Sequence, residues 1–132
     1  MWDPHHPHDI DALEKVQRRA ALYVTNNYQP RESVTNMIAD LGWQPLQDRR
    51  RAFRLSMLFK IQNGLVGIDP KDNLQQPVRK SRSSNTNSYT IPRSRIEAHK
   101  MSFYPNTIRD WNGLQPDVQA VKDLQSFKAC LF

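Results

Sequence analysis

Nine basic side chains carry the strongest chemical signal in this 132-residue chain. Arg49, Arg50, Arg51 and Arg54 form one group, Arg79, Lys80 and Arg82 a second, and Arg93 with Arg95 a third. A guanidinium fork matches phosphate oxygens and binds them bidentately, whereas a lysine meets them as a point charge. Groups of this kind suit the backbone of RNA or DNA and carry no base information by themselves. Arg49 to Arg54 cover more than one helical turn, so they cannot all meet one strand. Tyr89 lies between the second and third groups. It suits stacking on an unpaired base, and equally suits an extended residue packed on helices.

The charge is unevenly placed. Residues 1–48 carry seven acidic and four basic side chains, net −3. Residues 49–109 carry thirteen basic and three acidic, net +10, and residues 110–132 return to −1. Local potential of this kind governs encounter with a polyanion more than the overall charge of +6 does. A solvated basic surface with no dedicated partner is the alternative that charge alone leaves open.

Other chemistries find little support. His5, His6 and His8 stand together, but Pro4 and Pro7 stiffen the segment and His99 is far away. A closed metal site needs about four ligands, so an exposed terminus is expected, with no metal and no cofactor. Asp9 and Asp11 are explained by a helix start. There is no adjacent Asp-Asp pair, no glycine-rich phosphate loop and no local Ser/His/Asp or Cys/His grouping. Two-metal phosphoryl chemistry needs several convergent carboxylates, so no catalytic residue is assigned. The single cysteine, Cys130, excludes an intrachain disulfide and reads as a small buried side chain.

The elements that must position these residues are helical. Ile10, Leu13, Val16, Ala20, Tyr23 and Val24 recur at helical spacing, predicting an amphipathic helix from Asp9 to about Asn26 that turns this face inward. Arg18 and Arg19 fall towards the solvent side. Ser33 suits the N-cap of a second helix whose stripe is Val34, Met37, Ile38 and Leu41, with Gly42 ending it. A third helix is expected from about Pro45 to Asn63. Leu46, Phe53, Met57 and Ile61 form its first stripe, and Leu55, Leu58 and Phe59 widen it, so its second half is expected to be buried. Its arginines stand exposed near the N-terminus, against the helix dipole. Gly64 and Gly67 end it.

Residues 69–100 are rich in Ser, Asn, Pro and basic side chains and lack helical periodicity, which predicts a long loop with a short extended piece at Tyr89–Pro92. Helical spacing returns at Ile108, Trp111 and Leu114, closed by Gly113 and Pro116. A last helix has Asp123 as N-cap, with Leu124, Phe127 and Leu131 inward. Trp43, Phe103, Tyr104 and Trp111 are expected to anchor the core. The fold class is therefore mainly α: a small irregular helical domain of about five helices with a long basic loop. The organisation expected is 1–68, a three-helix unit; 69–101, a basic loop or linker; and 102–132, a two-helix segment. No apolar run approaches the roughly 18–20 residues that span a bilayer. MWDPHHPHDID lacks the basic and apolar regions of a secretory signal, so an intracellular location is expected, nucleus or cytoplasm unresolved, with no membrane partner.

Six segments in order carry a resemblance. They are WDPH at Trp2–His5, ALEKVQRRAALYVTNNY at Ala12–Tyr28, SVTNMIADLGWQPLQDRR at Ser33–Arg50, LFKIQNGLV at Leu58–Val66, SFYPNTIRDWNGL at Ser102–Leu114 and LQSFKACL at Leu124–Leu131. Together they resemble the C-terminal region of jockey-like non-LTR retrotransposon reverse transcriptases. The resemblance implies a thumb-side helical region (1–68 being thumb-like) that helps grip template RNA or primer. It implies packing partners in the upstream polymerase subdomains. It also implies that the palm's paired aspartates and the endonuclease lie outside these residues, so the chain is expected to be a truncated fragment without catalysis of its own. Met1 then marks a truncated gene model or element remnant. One departure is WNGLQP, where Gln115 stands between the leucine and proline that the family commonly joins. The alternative is an interaction or structural helical module, or a non-functional remnant.

Overall fold

The computed structural model describes residues 3–79 and 87–131. Among these residues the chain is mainly helical and contains no strand. Seven α-helices and one 3-10 turn follow in order: α1 (Pro7–Thr25), α2 (Val34–Asp40), α3 (Leu46–Gln62), the turn Pro70–Asp72, α4 (Glu97–Lys100), α5 (Phe103–Asn112), α6 (Pro116–Gln119) and α7 (Leu124–Leu131). Two compact units result, Met1–Arg50 and Arg51–Phe132. The division falls inside α3.

In the first unit, α1 opens behind His6 with Pro7 in its first turn and Asp9 facing the positive helix end. Asn26, at φ 51°, ends it in the left-handed region that asparagine tolerates. Ser33 takes the N-cap position of α2, although its side chain accepts no capping hydrogen bond. Gly42, at φ +65°, closes α2: its N–H donates to the Ala39 carbonyl, and the Trp43 N–H to the Ile38 carbonyl at 3.0 Å. That pair of bonds is the Schellman arrangement, which needs a residue without a Cβ penalty at the left-handed position.

The expected inward face of α1 is corrected. Gln17 and Ala21 are its buried residues, while Val16, Tyr23 and Val24 are 59%, 79% and 57% exposed and Ala20 is also exposed. Ala21 is small enough for α2 to come close, where Met37 is buried, and the Gln17 amide donates to the Gln44 carbonyl at 2.9 Å. These contacts turn a neighbouring face inward and leave the larger apolar side chains outside. Glu14 also accepts from the Gln47 N–H at 3.1 Å, satisfying one of the unpaired donors at the start of α3.

The second unit holds a true core. Leu55, Leu58, Phe59 and Ile61 of α3 are buried with Leu74, Ile108, Trp111 and Phe127. Phe127 of α7 stacks on Phe59 with ring centroids 4.6 Å apart and leans on Trp111 at 5.6 Å. The second half of α3 is thus buried as expected, but Phe53 lies off the buried face and is 46% exposed. Of the four expected aromatic anchors only Trp111 is fully buried; Trp43, Phe103 and Tyr104 are half-buried. Gly64 closes α3 at φ +65° by the same device as Gly42, with the Leu65 N–H donating to the Lys60 carbonyl at 2.8 Å.

Three short elements are absent from the sequence expectation. Asp69 accepts from the Lys71 N–H at 2.9 Å and Pro70 presets the first position, giving the 3-10 turn. The other two, α4 and α6, are single turns too short to show a period. Asp123 is the N-cap of α7, as its position predicts: its carboxylate accepts from the Ser126 N–H at 2.8 Å and hydroxyl at 3.0 Å. Cys130 is exposed, not buried. It falls off the stripe that turns Leu124, Phe127 and Leu131 towards the core.

Candidate nucleic-acid interface

Three of the four arginines of the α3 cluster stand in ion pairs. Arg50 donates through Nε to Asp3 at 3.2 Å, with its side chain 14% exposed. Arg54 donates through Nη2 to Asp110 of α5 at 2.8 Å, with 11% exposed. Arg51, one turn earlier on the same face, lies 3.7 Å from the same carboxylate and is half exposed. The expectation that all four arginines stand in solvent is therefore corrected. The carboxylates that capture Arg50 and Arg54 lie 47 and 56 residues away along the chain. No local pattern could reveal them. Arg49 remains exposed on the first unit.

On the second unit Arg79, Arg93 and Arg95 are exposed. The ion pairs found among the described residues engage His8, Arg50, Arg51 and Arg54. Lys80 and Arg82 lie outside the described residues.

The segment carrying Arg93 and Arg95 is positioned by consecutive residues of α5. Trp111 donates its indole N–H to the Asn87 carbonyl at 2.9 Å. Asn112 grips both sides of Tyr89: its Oδ1 accepts from the Tyr89 N–H at 3.0 Å and its Nδ2 donates to the Tyr89 carbonyl at 2.8 Å. An asparagine amide thereby replaces the neighbouring strand that this irregular backbone lacks. Thr90 continues the attachment, donating from its N–H to the Gln75 carbonyl at 2.8 Å. The Tyr89 ring packs on the core 6.4 Å from Trp111, and burial pushes its phenol above its ordinary pKa. The ring is thus part of the packing, the second of its two sequence readings. Beyond it, half-buried Pro92 and Ser94 alternate with exposed Arg93 and Arg95. Ser94 and His99 of α4 hydrogen-bond at 2.6 Å, which fixes the far end of the segment.

Beside this segment lies a cavity of about 310 Å³. Asp72 lines it from the 3-10 turn and Asn73 and Gln75 from the residues that follow, with Pro92, His99 and Tyr104 from later in the chain. Sequence reasoning missed it because its walls come from separate short elements without periodicity. His99 and Ser94 were unremarkable in the sequence, being isolated polar residues in a polar stretch. Among the described residues no three or more His, Cys, Asp or Glu side chains converge as a metal site. Compared with family models, with curated proteins and with solved structures, the chain gives no match.

The arrangement can meet phosphate oxygens with exposed guanidinium groups on a segment braced at Tyr89 and Ser94. Its buried polar contacts on α5 serve to brace that segment, and its arginine–carboxylate pairs on α3 serve to hold helices together.

Proposed function

We propose that this chain is a helical nucleic-acid-binding module of the C-terminal region of a jockey-like non-LTR retrotransposon reverse transcriptase, an RNA-directed DNA polymerase, and that it has no catalysis of its own. The reading rests on the six-segment resemblance, and one structural observation carries its activity. Arg93 and Arg95 stand exposed shortly after Tyr89, whose backbone Asn112 clamps, with Arg79 exposed in the same unit. A braced backbone loses less freedom on meeting phosphate than a mobile one does. The module would grip template or primer backbone for a polymerase whose catalytic aspartates lie elsewhere. Fluorescence anisotropy with a labelled single-stranded RNA tests it. Binding at near-physiological salt, with no primer extension on an RNA template, is expected; absent binding or polymerase activity contradicts it.

A second reading is favoured by α1. Val16, Ala20, Tyr23 and Val24 form an exposed apolar stripe at helical spacing on a unit whose own buried apolar side chains are Ala21 and Met37. Such a stripe suits a helix completed by an apolar protein surface, which in the resembling family would be an upstream polymerase subdomain. Replacing Val16, Tyr23 and Val24 together by Ser is expected to change unfolding free energy by no more than about 1 kcal/mol, as exposed sites do. Concentration-dependent self-association of the wild-type chain should vanish in that variant. A monomer at all concentrations, or a large loss of stability, argues against a docking face.

A further inference from the structure

The cavity beside the basic segment is lined in a way that backbone contact does not need. Its volume of about 310 Å³ stands at the small end of the roughly 300–1,000 Å³ of small-molecule sites. That favours an occupant the size of one base over a dinucleotide cofactor. The residues that line it include Asp72, which carries a carboxylate, Asn73 and Gln75, which carry amides, and His99 and Tyr104, which carry flat rings. Pro92 lines it too, immediately before Arg93. The wall and the cationic edge are therefore one piece of backbone.

We propose that this cavity receives an unpaired guanine base from the strand whose phosphates Arg93 and Arg95 hold, an inference that rests on the backbone-binding reading above. The choice of base follows from hydrogen-bond chemistry. An ionised carboxylate only accepts. Guanine presents two adjacent donors, N1–H and the N2 amine, that one carboxylate can take bidentately. Adenine and cytosine place an acceptor beside their amine, and uracil flanks its single N–H with two carbonyls. Each of those acceptors faces the carboxylate with like partial charge. The Asn73 and Gln75 amides both donate and accept, so they adapt to the O6 and N7 edge. The Tyr104 ring supplies a stacking face of the kind that unpaired bases use. The Ser94–His99 hydrogen bond joins the Arg93–Arg95 segment to a cavity wall, so that filling the cavity and seating the backbone favour one another.

The test uses the full chain and two readouts. Anisotropy measures affinity for hexauridylate, for the same oligomer with one internal guanine, and for one with inosine there. The guanine oligomer should bind about tenfold tighter than hexauridylate, within the range of one bidentate base contact, and inosine, which lacks the N2 amine, should lose most of that gain. Asp72→Asn should erase the guanine preference, so that the guanine oligomer and hexauridylate bind that variant alike, and Tyr104→Leu should weaken the guanine oligomer selectively. NMR titration with guanosine, which has no phosphate, should shift the His99 and Tyr104 signals. Oligomers that bind without guanine preference, with no shift from guanosine, overturn the cavity and spare the backbone reading. Guanosine shifts without oligomer binding do the reverse. Loss of both signals overturns both.

Discussion

Asp110 sits where two arginines of α3 converge, and its position explains why a dense cationic run can be tolerated beside a core. Arg54 is nearly covered and Arg51 half exposed, so the two contacts differ in worth. Asp110→Ala should lower unfolding free energy by about 2 kcal/mol, because it strips a charged hydrogen-bond partner from a covered guanidinium. Arg51→Ala should cost no more than about 1 kcal/mol. Urea denaturation of both variants checks the ordering; equal losses contradict it. Two titrating groups contribute to the pH dependence of stability. The Asp123 carboxyl is held below its usual range by the Ser126 backbone N–H and hydroxyl. Its contribution is present above the ordinary carboxylate pKa and is lost as pH falls through the lowered one. The Tyr89 phenol is raised by burial, so its contribution is present below the ordinary tyrosine pKa and is lost as pH rises through the raised one. Melting temperature against pH should show both limbs. Asp123→Asn should flatten the acid limb, and Tyr89→Phe the alkaline one.

At the scale of elements, Asn112 decides whether the basic segment is a fixed edge or a loose arm. Asn112→Ala removes both bonds to the Tyr89 backbone. The Tyr89 amide should then exchange with deuterium at least tenfold faster, while amides of the α3 core keep their protection. Unchanged exchange at Tyr89 contradicts the clamp. The sequence made much of this level legible, for local reasons. Gly42 and Gly64 occupy positive-φ positions that close their helices, and Asp123 accepts the bonds of an N-cap. Period alone sufficed for the buried half of α3, where Leu55, Leu58, Phe59 and Ile61 crowd one side. Period misled on α1, because its apolar residues outnumber what its own unit can cover. A polar residue, Gln17, reaches inward instead, for a carbonyl in the turn before α3. The candidate site was the least legible part. Arg93 and Arg95 could be named from charge, but the backbone before them is braced by Trp111 and Asn112, which lie 24 and 23 residues beyond the Asn87 and Tyr89 they hold. The cavity's walls meet only after the chain has folded.

At the scale of the molecule, the basic middle stretch has divided roles. Part of it is internal glue: Arg50 and Arg54 bind carboxylates within their own units. Part of it faces outward, with Arg79, Arg93 and Arg95 exposed on the second unit. Among the described residues no helix is long and apolar enough to cross a membrane. The most direct measurement is the salt dependence of affinity for single-stranded RNA. The logarithm of the binding constant should fall linearly with the logarithm of salt concentration, at about 0.7 per phosphate neutralised. Replacing Arg79, Arg93 and Arg95 together by Gln should therefore reduce the slope by about 2, with the fold intact by circular dichroism. An unchanged slope in that variant, or wild-type affinity that does not respond to salt, would contradict the proposed grip.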